Sequence, residues 1–265
     1  MRYRNLHDGR PVPILGLGTA SFGRDRNREF NAVRAALDLG YTHIDTAEGY
    51  GSGEAERVIG EAIRGHDRSK LFITTKVSRE HLREADVSRA LVGSLSRLQT
   101  DYVDLYLIHW PSATIPLEET FGALNELVSR GQVRYLGVSN FSVAQMEESF
   151  RLTDSILATN QVRYSLQHRA PERDGVLEYC QGHDVLLTAY TPIEKGRLSA
   201  SSELAGMAGD KGCTPVQLAL AWLLSQEQVI TIPESKNRSH LEENLGALEV
   251  ELSAEEKGEL DRLAS

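Results

Sequence analysis

VDLYLIH, residues 103–109, is a short run of aliphatic, β-branched and aromatic residues that ends in a histidine. Apolar side chains fall on both alternations of the run, which suits a strand buried on both faces, as in a parallel sheet covered by helices. Seven more runs share this character: ILGLG (14–18), YTHID (41–45), LFITTK (71–76), VRYLGVS (133–139), ILATNQV (156–162), VLLTAY (185–190) and VITIP (229–233). Together they supply the eight strands that a closed parallel barrel requires.

Segments of helical spacing lie between the runs. Phe30, Val33, Ala36 and Leu37 form one stripe, Ala90, Leu91, Leu95 and Leu98 a second, and Phe121, Leu124, Leu127 and Val128 a third. Thr214-Pro215-Val216-Gln217 offers an N-cap, a proline at the first helical position and a capping box, and Ser239 with Glu242 and Ser253 with Glu256 repeat the Ser-x-x-Glu form. Ahead of the first barrel strand, Asp8-Gly9 marks a hairpin turn. The alternation predicts an α/β fold, a (β/α)8 TIM barrel with an N-terminal β-hairpin, in one domain over residues 1–265. No linker, internal repeat or low-complexity segment divides it. The competing open, doubly wound sheet wants a glycine fingerprint after its first strand, and Gly16-Leu17-Gly18-Thr19-Ala20-Ser21 lacks the third glycine.

With 40% hydrophobic and 25% charged residues in a 265-residue chain, a large core is attainable and disorder is excluded. The net charge of −9 and a pI near 5.4 repel phosphate backbones and anionic membranes, so neither nucleic acid nor a membrane is expected as a partner. MRYRNLHDGRPVP at the N-terminus holds no signal-peptide run, and no stretch of about 20 apolar residues follows. A cytoplasmic location is expected. Cys180 and Cys213 read as ordinary thiols, far from any CxxC pair or zinc spacing.

Chemistry in such a barrel collects where strands end and the following loops begin. Those positions hold Asp45 and Tyr50, then Lys76, His109, Ser139-Asn140, Asn160-Gln161, Tyr190 and Pro233-Glu234-Ser235. Asp45, Tyr50, Lys76 and His109 form a coherent set: an ammonium beside a phenol favours phenolate and lowers its pKa, a carboxylate keeps the buried ammonium charged, and an imidazole can hold a substrate oxygen. A metal site built on His43, Asp45 and His109 competes, since His43 and Asp45 point the same way along a strand. Lys76 would set an ammonium beside that cation, so no metal is expected.

GYTHIDTAEGYGSGEAERVIGEAI (40–63), LFITTK, DLYLIHWP, GQVRYLGVSNF and IPESKNRSHLEENLGALEVELS occur in this order along the chain, and together they resemble the signatures of the aldo-keto reductases. The resemblance runs from about Arg2 to about Leu263 and implies a nicotinamide cofactor and a small-molecule carbonyl substrate. It makes Tyr50 the general acid toward the carbonyl oxygen, with Lys76 and Asp45 tuning it and His109 orienting the substrate. It assigns Ser139, Asn140 and Gln161 to the nicotinamide carboxamide and Tyr190 to stacking on the ring. Thr19, Pro192, Ser235, Lys236, His240, Glu243 and Asn244 are further cofactor positions, with the adenosine phosphate placed on the helix that Ser239 is expected to open.

Two departures bear on the cofactor. Glu234 stands where many members of the family carry lysine, and His240 where many carry arginine. Lys236 and Arg238 stand ready to compensate, so NADP(H) is expected, with NAD(H) as the rival. In the substrate pocket, Ala20 and Ser78 replace tryptophans common in the family, the chain ends soon after its last helix, and Phe22 and Trp110 remain as aromatic walls. The expected enzyme is a monomeric reductase of broad carbonyl acceptance. The alternative is a regulatory protein that senses nicotinamide redox state on the same barrel.

Overall fold

The computed structural model describes residues 1–197 and 202–263 in full, and the backbone of 198–200. Two short strands, β1 (Tyr3–Asn5) and β2 (Pro11–Pro13), pair antiparallel with Arg4 opposite Val12. Gly9, at φ 83°, makes the turn between them, and the Asp8 carboxylate accepts the Arg10 N–H at 3.0 Å.

Eight parallel strands follow in sequence order across one sheet. They are β3 (Leu17–Gly18), β4 (His43–Asp45), β5 (Phe72–Val77), β6 (Val103–Ile108), β7 (Val133–Ser139), β8 (Leu157–Arg163), β9 (Leu186–Tyr190) and β10 (Val229–Thr231). Each lies within, or within one residue of, one of the eight runs. The sheet closes on itself through isolated parallel bridges, Leu15 to Thr231 and Gly18 to Glu234. At this seam the Gly16 N–H donates to the Thr231 carbonyl at 2.9 Å and the Gly18 N–H to the Pro233 carbonyl at 3.2 Å. The two glycines are there for close approach: a Cβ on Gly18 would lie 2.5 Å from the Ile232 carbonyl oxygen, and one on Gly16 2.8 Å from the His43 ring. The near-match to a dinucleotide fingerprint is therefore a packing feature of the seam.

The helices are α1 (Arg26–Asp38), α2 (Glu54–Ala62), α3 (Glu84–Leu98), α4 (Leu117–Ser129), α5 (Val143–Leu152), α6 (Ala170–Arg173), α7 (Val176–Gly182), α8 (Ser202–Asp210), α9 (Pro215–Leu224), α10 (Arg238–Gly246) and α11 (Ala254–Arg262). The expected stripes face inward: Ala90, Leu91, Leu95 and Leu98 on α3 are buried, as are Phe121, Leu124 and Leu127 on α4, with Val128 packed half-buried beside them. On α1 Val33 and Ala36 are buried while Phe30 and Leu37 pack partly exposed against them. Helix α9 is buried all round from Leu218 to Leu224, and the Trp222 indole N–H reaches Asp261 on α11 at 2.8 Å. No described helix is long and apolar enough to cross a membrane.

Capping boxes form at Thr214–Gln217 and Ser253–Glu256 as expected, and a third forms at Ser142–Gln145. The box expected at Ser239 does not form. Asn237 is the N-cap instead, accepting the Ser239 N–H at 3.1 Å, so α10 starts at Arg238. Asparagine ranks among the strongest N-caps, and here it stands two residues ahead of the serine.

The seam predicts opposite outcomes for two Gly→Ala substitutions. Gly18→Ala should lower Tm by at least about 4 °C in calorimetry, because the barrel must open to admit the methyl group. Gly122→Ala, inside α4 with nothing within 4 Å of its Cβ position, should hold or raise Tm by about 2 °C. Equal effects would refute the packing account of the seam.

Candidate active site

Asp45 ends β4 and Lys76 lies one residue from the end of β5, so both side chains enter the barrel at the same mouth. The Lys76 side chain is fully buried, and each of its three ammonium protons has a partner: Asp45 Oδ1 at 2.6 Å, the Thr46 carbonyl at 2.8 Å and the Tyr50 hydroxyl at 3.3 Å. The second Asp45 oxygen accepts Gln161 Nε2 at 2.8 Å, and Thr19 Oγ1 donates to the Asp45 carbonyl at 2.8 Å. Tyr50 opens a tight turn in which Gly51 takes φ 55° and abuts the backbone of Gly23, leaving 2.6 Å between Gly23 Cα and a notional Cβ on Gly51. That approach of two loops holds the phenol over Lys76. His109 follows β6, its N–H on the Val77 carbonyl at 3.0 Å, and its ring meets Tyr50 edge-on with centroids 5.6 Å apart.

The structure thus brings together the four residues singled out in the sequence. It reverses one electrostatic expectation, because the Tyr50 pKa is raised: burial of the phenol outweighs the opposing pull of the Lys76 ammonium. Tyr50 keeps its proton at neutral pH, and Lys76 acts by partly offsetting the desolvation. Burial depresses Lys76 in turn, but the Asp45 carboxylate and Tyr50 overcome it and leave the lysine raised and charged. Burial and then Lys76 lower His109 to about 4, so its imidazole is neutral.

Around this centre, Ser139 Oγ donates to the Gln161 carbonyl at 2.8 Å, and Asn140 Nδ2 to Ser139 Oγ at 2.9 Å and to the His109 carbonyl at 3.2 Å. Asn140 sits at φ 63°, in the left-handed region that asparagine tolerates, and Tyr190 donates its hydroxyl proton to Asn140 Oδ1 at 3.0 Å. Tyr190 itself is half-buried, and Pro192 behind it is buried. His43, the metal candidate, packs edge-on against Phe72 and pairs with Thr74 Oγ1 at 3.2 Å, in the interior below Gly16.

A second group gathers after β10. Ser235 Oγ accepts the Asn237 N–H at 3.1 Å, Asn244 is buried against the Tyr41 hydroxyl, Glu243 gives its carbonyl to Gln217, and His240 is exposed. Glu234 is held by the Ser21 N–H at 2.9 Å and by the Ser21 hydroxyl. Lys236 donates to the Ser21 carbonyl at 2.9 Å and to Glu29 at 2.8 Å. Burial alone would raise Glu29, but Lys236 and three backbone N–H groups draw it down to about 2. Phe22 is buried with Lys236 over its ring, whereas Trp110 is 43% exposed.

Trp110 and His109 line a cavity of about 400 Å3 with Ser78, Arg79 and Glu80. The sequence reading passed over Arg79 and Glu29. Glu29, an acid in the first turn of α1, carried a helix-start signal; Arg79, just past the end of a barrel strand, carried only its position.

A parallel barrel with a protonated phenol, a buried ammonium–carboxylate pair and a neutral imidazole at its mouth has an arrangement suited to proton transfer beside an open cavity. The aldo/keto reductase family model matches residues 14–265, and the chain belongs to that family. It is 39% identical over 260 residues to methylglyoxal reductase YeaE of Escherichia coli (strain K12), covering 95% of this chain and 90% of that protein. Among solved structures it is similar to the thermostable aldo-keto reductase Tm1743 in complex with the inhibitor epalrestat, at TM-score 0.95 and 45% identity over 99% of this chain and all of that one. It is also similar to an aldo-keto reductase from Klebsiella pneumoniae in complex with NADPH, at TM-score 0.92 and 40% identity over 100% and 96% of the two chains.

The electrostatics predict the titration of His109. Followed by NMR and assigned with a His109→Asn variant, its ring protons should titrate with a midpoint near 4. A midpoint at the ordinary histidine value of about 6.5 would refute the burial account.

Proposed function

We propose that the protein is an NADP(H)-dependent reductase that converts aldehyde and ketone carbonyls to alcohols, small dicarbonyls such as methylglyoxal among them. The observation that carries the reading is the Lys76 ammonium shared between Asp45 and the Tyr50 hydroxyl, beside His109 and an open cavity.

The residues present fit the cofactor. Hydroxyl and amide groups of Ser139, Asn140 and Gln161 surround the centre, and a half-buried Tyr190 ring stands beside them. Between α1 and the start of α10 lies a cleft of about 540 Å3 whose walls carry Arg28, Lys236 and Arg238, the last paired with Glu242, against one acid, Asp25, an excess of positive charge suited to a phosphate. Glu234 is engaged by Ser21, and Lys236 spends two of its three donors, which leaves one for an incoming anion. With Ser139, Asn140, Gln161 and Tyr190 holding its nicotinamide, the reduced cofactor would supply the hydride for the carbonyl carbon.

The side chains supply the rest. Tyr50 gives its hydroxyl proton to the carbonyl oxygen, and the phenolate left behind is stabilised by Lys76, whose own charge Asp45 maintains. Solvent returns the proton to Tyr50 afterwards. His109, neutral, donates one ring N–H to the same oxygen and fixes its direction toward Tyr50. The relatives described above are named for reductase activity, which favours an enzyme over a redox sensor. We further read the chain as a monomeric cytoplasmic enzyme of one domain that works on small molecules. The net charge of −9 and a site assembled within one chain support this.

Tyr50→Phe removes only the acidic hydroxyl. It should cut kcat by roughly 10² to 10⁴ while the Kd for NADPH stays within about twofold; unchanged turnover would reject the assignment of the acid. Lys236→Met should raise the Kd for NADPH roughly tenfold in a fluorescence titration and leave that for NADH nearly unchanged. A wild-type protein that binds NADH more tightly than NADPH would overturn the cofactor choice.

A further inference from the structure

We propose that Arg79 recognises the far end of the substrate, and that this reductase prefers carbonyl compounds bearing an anionic group, a carboxylate or a phosphate, a few bonds from the reacting carbon. The inference rests on the reductase reading above and deepens it. Arg79 opens the single turn Arg79–His81 directly after Ser78, three residues beyond Lys76, and lines the cavity shared with His109 and Trp110. Its guanidinium lies over the Trp110 indole, 5.8 Å from the ring centroid. Among the described residues it has no ion pair and no hydrogen bond.

The other cations near the mouth are committed: Lys76 to three partners, Lys236 to Glu29 and the Ser21 carbonyl. His109, with its pKa near 4, adds no charge to the cavity. Arg79 is therefore the cation lining this cavity with its charge unspent. A guanidinium laid on an aromatic face keeps its N–H edge free, is weakly hydrated, and matches a carboxylate or phosphate through two parallel hydrogen bonds.

Two acids lie close by. Glu48 is occupied by the Ser78 N–H at 2.6 Å and by His81 at 2.9 Å. Glu80 also lines the cavity, and alone it would favour a cationic substrate. Both side chains are exposed, and Arg79 differs from Glu80 in lying over the Trp110 indole, so Arg79 is taken as the group that meets the substrate and Glu80→Gln as the control for the opposing charge. In a protein of net charge −9 this attraction is local and sensitive to salt.

The test uses three aldehydes of one shape: 4-formylbenzoate, its methyl ester, and 4-(trimethylammonio)benzaldehyde. Steady-state kinetics are compared for the wild-type protein and for Arg79→Met, Arg79→Lys and Glu80→Gln. The electronic effect of the para group is common to all variants, so the change in substrate ratio reads recognition alone. Arg79→Met should lower kcat/KM for 4-formylbenzoate roughly tenfold, through KM, and leave the ester within about twofold. Arg79→Lys should retain part of the preference, and about 0.5 M salt should erode it in the wild type. Equal losses on all three aldehydes, no loss on the anion, or a wild-type preference for the ammonium aldehyde would overturn the proposal.

A second measurement separates this inference from the reductase reading. Binding of the alcohol 4-(hydroxymethyl)benzoate is followed through the emission of Trp110, the other tryptophan, Trp222, being buried. Charge-dependent binding that vanishes in Arg79→Met, without turnover of any aldehyde, would defeat the reductase reading and sustain the role of Arg79. Normal turnover with binding indifferent to charge would do the reverse.

Discussion

The site is organised around a buried ion pair. Asp45 and Lys76 lie 2.6 Å apart with essentially no exposure, a placement that costs each charge its hydration. The cost is offset because no donor or acceptor of the pair is left over: Lys76 also holds the Thr46 carbonyl and Tyr50, and Asp45 also holds Gln161. These partners come from β4, β5 and β8 and from the loop after β4, so the pair joins distant parts of the barrel at one point. Removing either charge would leave the other buried and uncompensated, which is far more damaging than the pair is stabilising.

The same pair shapes the electrostatics of its neighbours. Burial of Tyr50 favours the neutral phenol, and Lys76 opposes it without reversing it, so the hydroxyl stays protonated with an ammonium beside it. The charge of Lys76 also helps keep His109 neutral. Burial thus keeps both the phenol and the imidazole neutral, and the ammonium opposes it at the first and adds to it at the second. The surrounding loops are placed by backbone contacts that few residues permit: Gly51 against Gly23, the seam glycines Gly16 and Gly18, and Asn140 in the left-handed region.

Much of this was legible in advance. The eight apolar runs located all eight strands because parallel strands in a covered barrel are apolar on both faces, a pattern that survives without alignment. Asp45, Tyr50, Lys76 and His109 stood out because strand ends are where such a fold presents polar groups. Less legible was the charge traffic after β10. Glu234 and Lys236 read as a replacement and a compensation, yet each is held by a residue more than 200 positions away, Ser21 or Glu29, and no local pattern announces that. The start of α10 was misplaced because two capping residues, Asn237 and Ser239, lie within one turn of each other.

The sequence by itself determined the order of elements, the barrel they close into and the kinds of group at its mouth, since periodicity and strand-end chemistry are local properties of the chain. Only the tertiary structure decided the protonation of Tyr50, the partners of Lys236 and the position of Arg79 over Trp110. Desolvation and ion pairing depend on which distant side chains share a volume, and that is set by closure of the sheet.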